Sequence, residues 1–157
     1  MSGHDLALLV HLVGVVFLFS GMSIAGVLHA AARRQERPSQ VALLLGVARA
    51  GVLFLAAGGV LVLAGGFWLI GESDRFYSLG DRWILAGLVL LLAAFVLGWL
   101  GGQQPKRARV LAEQLARDGD APSVELRALL DDPRASALNY AAAGAVFLAF
   151  VLMIWKP

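Results

Sequence analysis

Read for polarity alone, the chain is a series of long apolar runs separated by short charged ones. No charged residue occurs from Leu6 to Ala32, which Asp5 precedes and Arg33-Arg34 closes. As a helix this run would extend roughly 40 Å, more than the ~30 Å hydrocarbon core of a bilayer. A second run, Val41 to Gly71, is interrupted only by Arg49; a third goes from about Trp83 to Gly101 and a fourth from about Arg134 to Trp155. The second is too long to stand upright and must tilt or begin outside the hydrocarbon. The pattern predicts an all-α fold: an antiparallel four-helix transmembrane bundle, one domain over residues 1–157, with spans at about 6–32, 41–71, 83–101 and 134–155.

The polar segments supply starts and stops. Ser2 and Asp5 suit the free N–H groups and the positive dipole end of the first helix, Asp81 suits the start of the third, and Asp132-Pro133 that of the fourth. Pro38-Ser39 breaks the short basic loop after the first span, and Gly102 to Pro105 is expected to end the third helix. In the stretch from Lys106 to Arg134, KRARVLAEQLARDGD groups Val110, Leu111 and Leu115, Asp118-Gly119 stops it, and Pro122-Ser123 opens VELRALL. Two short amphipathic helices, lying on the membrane surface or on the bundle, are expected there. The competing reading is a solvated charged linker.

Composition agrees: at 59% hydrophobic and 15% charged, the chain is no water-soluble globule. The net charge is only +2, and the cations gather beside apolar runs, so they report topology and not a nucleic-acid partner. Arg33, Arg34 and Arg37 with Lys106, Arg107, Arg109, Arg117, Arg127 and Arg134 flank two loops, against Arg75 and Arg82 in the remaining one. That asymmetry places loops 1–2 and 3–4 in the cytoplasm and both termini outside, in a bacterial inner membrane. Trp68, Phe76, Tyr77, Trp83 and Trp155 then fall at the outer boundary. The first run follows an acid and precedes the arginines, the reverse of a signal peptide, and reads as a retained anchor. Cysteine is absent, which excludes disulfides and thiolate metal sites.

Candidate chemistry is sparse. His4, His11, Leu18 and His29 point within roughly 20° of one direction on a helix, so every histidine lies on one side of the first span. Gly14, Ser20 and Gly21 lie on or beside this strip, and Gly58-Gly59 and Gly65-Gly66 repeat at a heptad interval in the second span; small residues of this kind let backbones approach. His11, ~9 Å inside its helix, needs a partner in hydrocarbon. A main-chain carbonyl or a hydroxyl such as that of Ser20 would serve; the sharper alternative is haem b iron, with His11 as the metal ligand. His29 is ~27 Å further along, so it cannot share an iron with His11. Met153 on the fourth span, or a symmetric partner chain, could supply a second ligand, although Met22 and Met153 equally suit core filling. Arg49, with no acid in the spans to pair with, either snorkels to lipid phosphate or meets a haem propionate near His29. Phosphate loops, GxSxG and H-E-x-x-H are absent from the sequence.

The segment HLVGVVFLFSGMSIAG, His11 to Gly26, resembles the first-helix signature of small bacterial four-helix membrane proteins, in which a His near the outer end is followed about ten residues later by Gly, here His11 and Gly21. In length and layout the chain resembles a family of predicted integral membrane proteins of unknown function, over nearly its whole length, including the glycine-rich second span and the Trp opening the third. More distantly it is similar to the copper resistance protein D family and to the HemJ-type membrane protein of haem synthesis. The HemJ resemblance implies haem ligation by His11. The chain departs from that pattern at Phe17-Leu18-Phe19, where a Trp is expected, lacks the Pro-Arg that follows, and has no lysine inside the third span. The expected role is therefore haem b binding for electron transfer or haem handling. A non-enzymatic accessory subunit, using its glycine strips to join a homodimer or a larger membrane complex, is the alternative, and copper handling the third.

Overall fold

The computed structural model describes residues 2–72 and 80–155. Arg75, Phe76 and Tyr77, on which part of the expected charge asymmetry and aromatic belt rests, lie outside the described residues. The fold is all-helical: α1 Gly3–Ala32, α2 Pro38–Glu72, α3 Arg82–Gly101, α4 Gln103–Arg117, α5 Val124–Leu130 and α6 Pro133–Trp155. Four helical runs, beginning at Gly3, Pro38, Arg82 and Val124, are long and apolar enough to cross a membrane.

The helix starts follow local chemistry. Ser2 and Asp5 cap α1 reciprocally: the Asp5 amide donates to Ser2 Oγ at 3.2 Å, and the Ser2 amide to Asp5 Oδ2 at 2.9 Å. Ser123 Oγ accepts from the Leu126 amide at the start of α5, and Asp132 Oδ1 accepts from the Arg134 amide just inside α6. Gly102 to Pro105, expected to end the third helix, does so at its first residue, since α3 stops at Gly101. Gly102 holds φ −75° and ψ −11°, close to helical, and α4 begins at the next residue. Pro105 is tolerated because it falls in the first turn of α4, where its missing N–H and fixed φ cost little.

The chain forms two compact units, one of Met1–Gly26 with Ala48–Asp81 and one of Val27–Val47 with Arg82–Pro157. In the first, α1 and α2 lie backbone against backbone. A methyl group at Gly14 would come 2.6 Å from the Val62 nitrogen, at Gly21 2.5 Å from the Gly51 oxygen, at Gly58 2.5 Å from the Leu18 nitrogen, and at Gly65 2.7 Å from the His11 nitrogen. The partners descend along α2 as α1 ascends, so the two segments are antiparallel. Ala7, Leu18 and Val62 are buried in the same unit.

In the second unit α3 and α6 pair, with Gly101 against Asn139 and Ala135, and Gly98 against Ala142. Its core is a cluster of Ala32, Val41, Leu45, Ala108, Ala112, Leu126 and Leu130, flanked by Leu111 and Leu115. The segment from Lys106 to Arg134 is therefore two helices packed onto protein, not a solvated linker. The buried stripe of α4 is Ala108 and Ala112; Val110, which hydrophobicity groups with Leu111 and Leu115, is exposed. Alanine wins those positions because the closest facing positions on a helix accept only small side chains. Trp99 and Tyr140, near the last turn of α3 and the first turns of α6, are also exposed. They supply aromatic side chains at the helix ends opposite the expected belt.

Polar bonds tie the segment between α1 and α2 to this cap. Arg127 donates to the carbonyls of Arg33 and Gln35, at 2.5 and 2.9 Å, and Arg33 pairs with Asp131 at 3.2 Å. Gly119 at φ 119° and Asp120 at φ 58° form the left-handed turn after α4. That turn aims Asp120 at the start of α2, where Oδ1 accepts the Ser39 amide and Oδ2 the Ser39 hydroxyl, both at 2.7 Å. The hydroxyl bond, then the amide bond, hold the Asp120 carboxyl below its ordinary pKa. A carboxyl whose folded pKa lies below its unfolded one stabilises fully above the unfolded value, and that contribution is lost as pH falls through the folded one. Ser39→Ala should move the Asp120 midpoint upward in a carboxyl-carbon NMR titration; an unmoved midpoint would show that the hydroxyl bond is not made.

Candidate functional site

The site begins with the glycines. Where Gly65 meets α1, the His11 backbone lies so close that a methyl at position 65 would fall 2.9 Å from its Cα. The next residue, Gly66, leaves the imidazole in ordinary contact: a methyl there would be 3.5 Å from Nδ1 and 3.6 Å from Cε1. A helical carbonyl is usually shielded by side chains one turn later. Gly66, four residues beyond Val62, leaves the Val62 carbonyl exposed sideways, with a lone pair beyond that used by the helix's own hydrogen bond.

His11 occupies this opening, with Nδ1 2.9 Å from the Val62 oxygen. A carbonyl can only accept, so Nδ1 carries the proton, and the lone pair of the neutral ring is on Nε2. Its partner is thus a main-chain oxygen and not the hydroxyl of Ser20, which is exposed. The bond fixes ring orientation and tautomer together, the arrangement by which ligating histidines are held when their other nitrogen faces a metal.

Within its own compact unit, His11 is not joined by Arg49 or His4. Arg49 is in the same unit but exposed, roughly 20 Å along α2 from Val62 at helical rise. His29 and Met153 belong to the other unit and are half-buried, the His29 Nε2 being sealed from solvent. His29 is one turn from Arg33, which bonds Ser136, whereas Met153 is ~25 Å along α6 from Ser136, so these two lie apart within their unit. His4 is exposed near the start of α1, ~10 Å along the helix from His11. Among the described residues no group of three or more His, Cys, Asp or Glu is placed to hold a metal ion. A shallow cleft of about 410 Å³ beside Gln35, Glu36, Ser123 and Arg127 lies in the second unit. Its guanidinium is already engaged with two carbonyls.

Two parts of the site escape a reading by residue type. Val62 contributes only its carbonyl, which no side-chain pattern reveals. Gly51 extends the spacing of Gly58 and Gly65 by one more heptad, and that repeat could have been read as a longer seam. A family model described as "Predicted integral membrane protein (DUF2269)" matches residues 5–157. No curated protein and no solved structure matches the chain.

Proposed function

The chain belongs to this family of predicted integral membrane proteins, and from that premise we propose that it binds haem b through His11 Nε2, for electron transfer or haem handling. The observation that carries the reading is the 2.9 Å bond from His11 Nδ1 to the Val62 oxygen. It holds the one histidine in the α1–α2 seam as the tautomer that iron requires. Bound there, haem would supply one-electron chemistry. The chain's own part is to orient the imidazole, keep Nδ1 protonated, and hold the ring in place through the Gly65-Gly66 opening. His4 is too distant to be a second ligand, so His11 would hold the group alone, or with Met153 or a residue from a second copy of the chain.

The proposed setting is a cell membrane with the α4–α5 cap in the cytoplasm and the termini outside, in keeping with the excess of Lys and Arg on the cap side. An accessory-subunit role draws less support. Gly14, Gly21, Gly51, Gly58 and Gly65, the small residues that would pack against a larger complex, are engaged within the chain. Copper handling draws still less, because the chain has three His and three Met and no Cys to supply soft ligands.

The protein purified in mild detergent should be coloured, with a Soret band that sharpens on reduction. His11→Ala should abolish at least nine-tenths of it, with far-ultraviolet circular dichroism unchanged. A colourless, folded preparation that takes up no added haemin would eliminate this function.

A further inference from the structure

The charge that the spans leave unexplained is Arg49. It lies inside the uninterrupted helix α2 of Pro38–Glu72, its side chain is exposed, and no hydrogen bond or ion pair joins it to any described residue. Its neighbours one turn on, Val52 and Leu53, are 51% and 62% exposed, an apolar surface open to acyl chains. Helix length fixes its depth. Glu72 marks one boundary, since it accepts the Trp68 indole N–H at 3.2 Å, a pairing suited to the membrane interface. Hydrocarbon takes about 20 residues of helix, so counting back from Glu72 the apolar layer ends near Val52. Arg49 then stands at the phosphates of the opposite leaflet, not in the hydrocarbon. The excess length of α2 fits this account, because Val41 and Leu45 of the same helix are buried against Ala108, Ala112, Leu126 and Leu130 of α4 and α5.

Three residues before Arg49 on that helix stands Gly46, and a side chain there would meet nothing within 4 Å. Residues three apart share a face, so the guanidinium has an unobstructed course along the helix toward the headgroups. We infer that Arg49 is the anchor of a bound phospholipid: its planar fork takes the phosphate, and the acyl chains lie along Val52 and Leu53. A lipid phosphate supplies the anion that the spans' own side chains do not. An anionic headgroup is held in preference to a zwitterionic one, whose ammonium opposes the arginine.

The test is native mass spectrometry of the full chain delipidated in detergent and titrated separately with dioleoyl-phosphatidylglycerol and dioleoyl-phosphatidylcholine. Wild type should retain phosphatidylglycerol preferentially, and Arg49→Gln should weaken that retention about tenfold while leaving phosphatidylcholine retention nearly level. Gly46→Leu, which keeps the charge but obstructs its course, should shift retention in the same direction. Because Arg49 holds no described part of the protein, Arg49→Gln should stay folded by circular dichroism. Equal retention by wild type and Arg49→Gln would overturn the assignment. So would a loss of haem absorbance in Arg49→Gln with lipid retention unchanged, which would give the arginine to a cofactor carboxylate.

Discussion

Gly58→Leu is expected to separate α1 from α2 and cost on the order of 3 kcal/mol or more, enough to abolish folded protein in detergent. Inserting bulk into a close-packed core ordinarily costs 1–3 kcal/mol, because neighbouring side chains shift to make room. Here the obstacles are main-chain atoms. A methyl at position 58 would already lie 2.5 Å from the Leu18 nitrogen and 2.8 Å from the Gly14 oxygen, and a helix backbone cannot rotate out of the way. Relief would require the helices to move apart, which would also strip the contacts at Gly21–Gly51 and Gly65–His11 and open the His11 to Val62 bond. Gly26→Ala is the matched control, since nothing lies within 4 Å of a methyl at that position. Its helix propensity should make it neutral or stabilising by up to about 1 kcal/mol. Thermal unfolding in one detergent reads both. A Gly58→Leu protein with the wild-type midpoint would mean that the two backbones do not meet at this seam.

The same seam marks what the sequence makes legible. Four apolar runs, their boundaries and most of their capping residues can be read directly, because length and polarity decide whether a helix spans and a short polar side chain decides where it starts. Asp132-Pro133 and Ser2 with Asp5 behave as their chemistry requires. Gly102 ends α3 as read, but Pro105 misleads as part of a longer break, because it is compatible with a helical φ and falls in the first turn of the next helix. Val110 misleads for a different reason. Hydrophobicity selects it for the buried stripe, but close approach of α4 to its neighbours selects Ala108 and Ala112, and only the packed structure decides between size and polarity. His11 is legible as a residue needing a partner; that its partner is the carbonyl of Val62, exposed by Gly66, depends on register between two helices and is written in no local pattern. The Asp120 cap on Ser39 is hidden for the same reason, since the two residues are far apart in sequence and only the turn at Gly119 joins them.

Register also governs the polar end of the second unit, where Arg127 should prove to be the residue holding the cap closed. Its guanidinium donates to the carbonyls of Arg33 and Gln35, which follow the end of α1. Main-chain oxygens left there without a donor carry a desolvation cost, and hydrogen bonds to a charged group are worth about 1.5–3 kcal/mol each. Partial exposure reduces this, so Arg127→Ala is expected to lose about 2–3 kcal/mol. By comparison the Arg33 to Asp131 pair, with side chains 41% and 47% exposed, adds little. Arg127→Lys should not rescue, because a single ammonium cannot reproduce a planar fork reaching two oxygens from two nitrogens. The consequence is local. The segment from Arg33 to Arg37 loses its tether while α3 and α6 keep theirs, so circular dichroism should barely change and trypsin should cut after Arg34 several-fold faster. Cleavage at the wild-type rate in Arg127→Ala would show that the cap is held by its apolar cluster alone, and that the two carbonyl bonds contribute nothing to closing it.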